Sequence, residues 1–249
     1  MAIGSLVFDA YGTLYDVQSV RSLANELCGG KGELITQLWR LKQLEYTWLR
    51  GLMREYEDFW SVTRASLEFA LESVGVPVVP SVCDRLMEKY LDLDLYPEAR
   101  DALAALKGYK LAILSNGSPR MLDVLVKASG IAPFLTDVIS VDRARTYKPN
   151  PDCYALVEPA LGVSRHEVLF VSSNSFDVVG AKYFGFTVAW IERGGGPAVP
   201  ASSAVNPSEF YKLLRGRAEA LPRQADFRVH ALTDLSSVLG GPTAASVRR

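Results

Sequence analysis

Short apolar runs alternate with amphipathic stretches along this chain, and the alternation constrains its fold more than any other feature. The runs SLVFDA, KLAILSN, TDVISV, EVLFVSS and FTVAWIE all have the length of a strand and are rich in β-favouring residues. Strands that alternate with helices are typical of βα units, which build a parallel sheet covered by helices. The sequence therefore predicts an α/β fold with a Rossmann-like parallel sheet core flanked by helices.

A long insertion follows the first predicted strand. About a hundred residues separate it from the second strand, far more than one crossover helix needs. The insertion has helical periodicity and no convincing strand, and Pro97 and Gly108 mark the first helix after it. We expect a core domain formed by residues 1–15 and 93–249 and an inserted all-helical cap domain at residues 16–92.

The chain beyond residue 193 has a less regular pattern. Residues 193–208 are rich in glycine, proline and serine, which predicts a loop. We expect a helix around EFYKLLRGRAEA, a strand at ADFRVHAL, a short helix at TDLSSVL and a frayed end over the last ten residues. Residues 193–249 are therefore treated as an extension of the core domain with no assigned role.

Composition excludes several classes of partner. The chain has 27 basic and 28 acidic residues, a net charge of −1 and no basic block, so nucleic acid is not expected. No apolar run approaches the ~18 residues that cross a bilayer, and the N-terminus lacks the basic region of an export signal, so we expect no membrane partner and a cytoplasmic location. Cys28, Cys83 and Cys153 are widely spaced and odd in number, which indicates reduced packing residues.

Polar residues collect at the ends of the predicted strands. Ligands of parallel α/β sheets bind beyond the carboxyl ends of the strands, so these residues are candidates for a site. They are Asp9, Tyr11 and Thr13 after the first strand, Ser115, Asn116 and Gly117 after the second, Lys148 after the third, and Ser172, Ser173, Asn174 and Asp177 after the fourth. Two carboxylates and a lysine in one crevice form a site for covalent catalysis by a carboxylate.

Four segments carry a resemblance to a known family. FDAYGTLYDV, LSNGSP, YKPNPDCYAL and FVSSNSFD together resemble the four motifs of the haloacid dehalogenase superfamily, and specifically its L-2-haloacid dehalogenases. The resemblance runs from residue 3 to about residue 193, includes the cap segment LWRLKQLEYTWLR and is weak beyond. It implies a homodimer that acts on a small 2-haloalkanoate, and neither it nor the sequence indicates a cofactor.

The residue two positions after Asp9 separates the subfamilies. Phosphatases of the superfamily usually carry an aspartate there, because their alkoxide leaving group takes a proton, and they bind Mg²⁺ through further acids. This chain has Tyr11 instead, and a departing halide needs no proton donor. The segment after the fourth strand also lacks the paired acids of phosphatases, which leaves Asp9 and Asp177 facing Lys148. We therefore predict metal-independent catalysis.

The resemblance implies a two-step mechanism. Asp9, held by Lys148, attacks C2 of an (S)-2-haloalkanoate and forms an ester with loss of halide and inversion. Water then attacks the ester carbonyl of Asp9, activated by Asp177 in a network that includes Lys148, Ser172 and Asn174. The product is an (R)-2-hydroxyalkanoate.

The same resemblance assigns the remaining roles. Ser115 is expected to hold the substrate carboxylate, and Arg40 and Asn116 to receive the halide. Thr13 and Tyr154 are expected to position Asp9 and Lys148. An apolar pocket for the alkyl group would be lined by Tyr11, Leu44, Phe59 and Phe176. Leu41 and Phe176 differ from residues found in some relatives, which leaves the preferred chain length open.

Other interpretations stay open at this stage. Asp177 could be only a helix cap, and Arg40 could lie on a solvated helix face. A Mg²⁺-dependent phosphatase, a hydrolase that opens a strained ring beside a carboxylate, and a non-catalytic binding module are the alternative functions. EDTA sensitivity would identify the first, substrate screening the second, and tolerance of Asp9→Asn the third.

Overall fold

The computed structural model describes residues 2–193, 206–207 and 219–240 of the chain. Six parallel strands in this described part form one sheet in the order β3-β2-β1-β4-β5-β6. They are β1 (Ser5–Phe8), β2 (Lys110–Ser115), β3 (Asp137–Ser140), β4 (Val168–Ser172), β5 (Thr187–Ile191) and β6 (Phe227–Val229). All five strands predicted from the apolar runs are present, and the strand predicted at ADFRVHAL is the sixth. The predicted fold class is confirmed.

The order of the strands places β1 beside both β2 and β4. The chain builds one side of the sheet through β2 and β3 and then crosses β1 to build the other side from β4 onward. This reversal is a topological switch point, where a crevice opens beyond the carboxyl ends of the strands. All residues of β1 and β4 are buried, as expected for strands covered on both faces. Side chains that directly follow these two strands therefore meet at the crevice.

The insertion after β1 is helical, as predicted. Its helices are α1 (Arg21–Leu27), α2 (Gly32–Met53), α3 (Phe59–Ser73) and α4 (Pro80–Lys89), preceded by the 3₁₀ helix Val17–Val20. The long helices α2 and α3 pack against each other, and Trp39 Nε1 donates to the Thr63 carbonyl 2.8 Å away. Asp58 caps α3 by accepting from the Ser61 N–H at 2.8 Å. The following sections call α1–α4 the cap.

The chain enters and leaves the cap through two adjacent segments. Tyr15 forms an isolated β-bridge with Leu95, and the Asp16 N–H donates to the Asp94 carbonyl at 2.8 Å. The cap is therefore connected to the sheet through a short paired link. The predicted domain boundaries lie next to these contacts and stay a prediction.

The other helices of the described residues follow the cap and the strands β2, β3, β4 and β6. They are α5 (Ala99–Ala105), α6 (Pro119–Ala128), α7 (Pro151–Ala155), α8 (Val157–Leu161), α9 (Ser175–Phe184) and α10 (Leu235–Gly240), with 3₁₀ helices at Ala132–Phe134, Val141–Ala144, Arg165–Glu167 and Leu232–Asp234. The helix predicted at TDLSSVL corresponds to the last 3₁₀ helix and α10. The loop at 193–208, the helix around 209–220 and the frayed last ten residues fall largely outside the described residues.

Two further predictions concern the cysteines and membranes. All three cysteines are free and buried, as the sequence analysis predicted. In the described part of the chain, no helix combines the length and apolar character that crossing a bilayer requires.

Candidate active site

The ammonium group of Lys148 lies between two carboxylates at the centre of the crevice. Its Nζ donates to Asp9 Oδ1 at 3.2 Å, to Asp177 Oδ2 at 3.0 Å and to the Leu114 carbonyl at 2.6 Å. Lys148 is 2% exposed, Asp177 1% and Asp9 6%. A lysine ammonium has three N–H donors, so these contacts satisfy it completely. The structure thus brings together the three charged residues that the sequence analysis predicted.

Asp9 is held by the turn that follows β1. Thr13 Oγ1 donates to Asp9 Oδ2 at 3.0 Å, and Asn174 Nδ2 donates to the same oxygen at 2.8 Å. The turn closes tightly because Gly12 adopts a φ of +90°, which favours glycine. Lys148 approaches the other carboxylate oxygen. Asp9 is therefore oriented through both of its oxygens.

Asp177 lies in the first turn of α9 and points into the same cluster. Burial raises the pKa of Asp177 to about 6, against the opposing effect of Lys148 and with a further increase from Asp9. Burial alone would lower the pKa of Lys148, but the attraction of Asp177 and then of Asp9 raises it above its usual value. Lys148 therefore stays cationic at neutral pH, whereas Asp177 can exchange a proton near neutrality.

Arg40 reaches the crevice from the cap. It lies on α2, is only 5% exposed, and its Nη2 donates to the Tyr11 carbonyl at 3.3 Å. Tyr11 follows Asp9 in the same turn. A solvated helix face, the alternative left open for Arg40, does not fit this placement.

A cluster of three or more His, Cys, Asp or Glu side chains able to hold one metal ion does not occur among the described residues. In the crevice, the space between the two carboxylates is taken by the Lys148 ammonium.

Comparisons with known proteins decide the family. Residues 3–185 match the family model described as haloacid dehalogenase-like hydrolase. The (S)-2-haloacid dehalogenase of Xanthobacter autotrophicus is 48% identical over 246 residues, which cover 98% of this chain and 97% of that protein. The chain belongs to the L-2-haloacid dehalogenase family of the haloacid dehalogenase superfamily.

Further members of this family are similar over most of the chain. The (S)-2-haloacid dehalogenase of Pseudomonas sp. (strain YL) is 45% identical over 227 residues, which cover 87% of this chain and 98% of that protein. A solved structure of the Xanthobacter L-2-haloacid dehalogenase has chloropropionic acid covalently bound. It aligns with a TM-score of 0.91 and 48% identity, and the match covers 96% of this chain and 99% of that chain.

Within this L-2-haloacid dehalogenase fold, the predicted polar residues after β2 and β4 support the charged cluster. Asn116 Oδ1 accepts from the Lys148 N–H at 3.1 Å, so it fixes the backbone of the lysine. Ser115 Oγ accepts from the Gly117 N–H at 3.1 Å, and Ser172 Oγ accepts from the Asn174 N–H at 3.1 Å. The two serines shape the turns at the ends of their strands.

The structure places the Tyr154 hydroxyl on Asp177 instead of on Lys148, the partner that the sequence analysis expected. Tyr154 donates to Asp177 Oδ1 at 2.7 Å. Its ring is fully buried against Phe170, with a centroid distance of 5.7 Å, and against Phe186 at 6.2 Å. Tyr154 therefore donates a hydrogen bond to the Asp177 carboxylate from the core side of the crevice.

The predicted apolar residues lie where the cap meets the core. The Tyr11 ring packs on Phe59 of α3 at a centroid distance of 5.5 Å, and Phe176 of α9 packs on Trp48 of α2 at 5.3 Å. Leu44 is also buried. Burial raises the pKa of Tyr11 well above its ordinary value, so its hydroxyl stays protonated. Each of these pairs joins a core residue to a cap residue.

Sequence reasoning gave no role to two residues that contact the site: Ser173, which it named only as a polar residue after the fourth strand, and Gln43, which it did not name. Ser173 donates from its backbone N–H to Thr13 Oγ1 at 3.0 Å and from its hydroxyl to the Gly12 carbonyl at 2.6 Å, so it fixes the Asp9 turn. Gln43 accepts from Arg40. Both stand inside the segments that carry the family resemblance, and Gln43 lies three residues after Arg40 on the same helix face.

Proposed function

We propose that this chain is an (S)-2-haloacid dehalogenase. It converts short-chain (S)-2-haloalkanoic acids to (R)-2-hydroxyalkanoic acids with inversion, through an ester on Asp9 and without a metal ion. The observation that carries the proposal is the buried cluster in which Lys148 bridges Asp9 and Asp177. The covalently bound chloropropionic acid in the similar Xanthobacter enzyme supports the same chemistry.

The first step is a displacement at carbon. An oxygen of Asp9 forms a bond to C2 of the substrate while the carbon–halogen bond breaks, and the halide leaves with the bonding electrons. Arg40 and the Nδ2 group of Asn116 supply N–H donors for the departing anion, and Ser115 and neighbouring backbone N–H groups hold the substrate carboxylate. The buried surroundings strengthen these electrostatic interactions.

The second step is hydrolysis of the ester. Asp177 takes a proton from water, and the resulting hydroxide attacks the carboxyl carbon of Asp9. The pKa of about 6 suits this role, because Asp177 is ionised at neutral pH and yet basic enough to accept a proton. Lys148 stays protonated and offsets the negative charge that develops on the ester oxygen. Collapse of the intermediate breaks the bond between the Asp9 carboxyl carbon and the alkoxy oxygen, which takes the proton of the added hydroxyl group and leaves as the hydroxy acid. The Asp9 carboxylate is restored, and Asp177 loses its proton to solvent.

One experiment tests this function and its alternatives. Purified, EDTA-treated protein is incubated with each enantiomer of 2-chloropropionate, and halide release and product chirality are followed. We expect chloride and (R)-lactate from the (S) enantiomer only, and repeated turnover in H₂¹⁸O should label the Asp9 side chain. Failure to release halide from either enantiomer would contradict the proposal, and EDTA-sensitive phosphate-ester hydrolysis would establish a phosphatase.

A strained-ring substrate is the second test. A hydrolase for a small-ring carboxylic acid could use the same displacement by Asp9, because only the leaving atom differs. Screening such acids beside the 2-haloalkanoates separates the two functions. Higher kcat/KM on the ring substrate would replace the proposed activity.

We also propose that the enzyme is a cytoplasmic homodimer without nucleic-acid or membrane partners. Its buried free cysteines are typical of a reducing compartment. Leu49, Leu52 and Met53 of α2 are 42%, 83% and 59% exposed and offer an apolar surface for a second copy. Light scattering should give the mass of a dimer, and Leu52→Glu should shift it toward the monomer. A monomeric wild-type protein would contradict the proposed assembly.

A further inference from the structure

We propose that Gln43 is a positioning residue for the proposed dehalogenation. It holds Arg40 with a neutral hydrogen-bond acceptor, so that this contact orients the guanidinium and adds no negative charge beside the departing halide. The inference rests on the proposed function, because it concerns the leaving group of that reaction.

Gln43 and Arg40 are neighbours on the buried face of α2. Arg40 Nη1 donates to Gln43 Oε1 at 2.7 Å, and Gln43 is fully buried. The Nη2 group of the same guanidinium donates to the Tyr11 carbonyl at 3.3 Å, next to the Asp9 turn. The two contacts hold the guanidinium between the cap and the core. Gln43 Oε1 and the Tyr11 carbonyl are both neutral acceptors.

Hydrogen bonding determines which end of the Gln43 amide faces Arg40. Thr63 Oγ1 donates its only proton to the Phe59 carbonyl at 2.6 Å, so it can only accept from Gln43 Nε2, 2.7 Å away. The amide nitrogen therefore faces Thr63, and the oxygen faces Arg40. Tyr90 adds a second donor to that oxygen at 3.1 Å. The orientation follows from the network.

The neutral charge of the acceptor matters because the site is buried. A carboxylate at position 43 would form an ion pair with Arg40, and this pair would compete with the halide for the guanidinium at low effective dielectric. An apolar side chain would leave a buried Arg40 donor without this acceptor. An amide satisfies the donor without neutralising it. Glutamine is the side chain that combines the length and charge this position needs.

The test compares Gln43→Glu with Gln43→Met and the wild-type enzyme. Single-turnover reactions with (S)-2-chloropropionate measure halide release and, separately, hydrolysis of the Asp9 ester, and inorganic bromide is used as a competitive inhibitor. For Gln43→Glu we expect halide release to slow about tenfold or more and the bromide inhibition constant to rise by a similar factor. Ester hydrolysis should change much less, because the halide has then left.

Gln43→Met keeps the side-chain length and adds no charge, so it covers the case in which Gln43→Glu fails to fold. It should raise the bromide inhibition constant less than glutamate does. Tyr90→Phe, which removes the other hydrogen bond to Gln43 Oε1, should shift the bromide inhibition constant least. Equal slowing of both steps, or an unchanged bromide constant in both Gln43 variants, would overturn the inference. Absence of halide release from the wild-type enzyme would instead overturn the proposed function.

Discussion

Two carboxylates share one lysine in this site, and their surroundings give them different chemistry. Asp9 receives Thr13 and Asn174 on one oxygen and Lys148 on the other. Asp177 is more deeply buried, which raises its pKa to about 6. These surroundings suit the roles proposed above, in which Asp9 is the oriented nucleophile and Asp177 the proton acceptor.

The raised pKa of Asp177 predicts the acidic limb of the pH profile. The ionised form accepts the proton, so ester hydrolysis should slow as the pH falls through about 6 and reach a plateau above it. Single-turnover ester hydrolysis against pH measures this limb.

Because the folded pKa lies above the ordinary 3.8, the ionised Asp177 disfavours folding above about pH 6, and acidification toward pH 5 relieves this cost. A circular dichroism signal lost over the same pH range would contradict this explanation.

Tyr154 should affect the pH at which this acidic limb of the profile falls. The hydrogen bond from its hydroxyl favours the ionised form of Asp177, so Tyr154→Phe should raise the pKa of Asp177 and move the acidic limb to higher pH. Tyr15→Phe is the matched control, because Tyr15 is also buried and its hydroxyl bonds to Ser129 at 2.9 Å, outside the cluster. Both variants should lose about 1 kcal/mol of unfolding free energy. An identical pH profile in both variants would show that Tyr154 does not act on Asp177.

At the scale of elements, the position of α2 relative to the sheet determines where Arg40 lies in the crevice. This helix carries Arg40, and α3 holds it through the bond from Trp39 to Thr63 and through Gln43. The loop between the two helices also contacts the core, because Tyr56 donates to Asp142 Oδ1 at 2.6 Å. The start of α3 therefore affects both the cap and its contact with the core.

Removing the cap of α3 should destabilise the protein measurably. Asp58→Ala removes the acceptor for the Ser61 N–H and should lower the free energy of unfolding by about 1 kcal/mol. Urea unfolding followed by circular dichroism gives this value. Asp58→Asn keeps an N-capping oxygen and should restore most of the loss. Equal losses in the two variants would assign the effect to charge.

At the scale of the whole molecule, Arg193, which lies just after β5, contacts both segments that connect the cap to the core. Its Nη1 forms an ion pair with Glu98 at 2.8 Å, and its Nη2 donates to the Thr13 carbonyl at 2.8 Å. The guanidinium also lies 3.5 Å over the centroid of the Tyr96 ring. One side chain thus contacts the Asp9 turn and the segment that returns from the cap.

Arg193→Met should therefore weaken the connection between cap and core. We expect the free energy of unfolding to fall by about 2 kcal/mol, since charge-assisted hydrogen bonds and a cation–π contact are lost together. Tryptophan fluorescence and circular dichroism report on urea unfolding. Glu98→Gln keeps an acceptor for Arg193 and should lose less. No loss in Arg193→Met would show that the backbone pairing of the two links is sufficient.

The sequence by itself determined the parallel sheet, the helical insertion, and that Asp9, Lys148 and Asp177 meet in one crevice. The strands and helices follow from local periodicity, and the cluster follows from the rule that residues at the carboxyl ends of parallel strands lie at one edge of the sheet. Neither inference requires knowledge of contacts between distant residues. Only the tertiary structure decided that Arg40 turns inward, that Tyr154 bonds to Asp177, and that Gln43 and Arg193 have structural partners at the site. Arg40 and Tyr11 are 29 residues apart and Arg193 and Thr13 are 180 apart, so packing of whole elements creates these contacts.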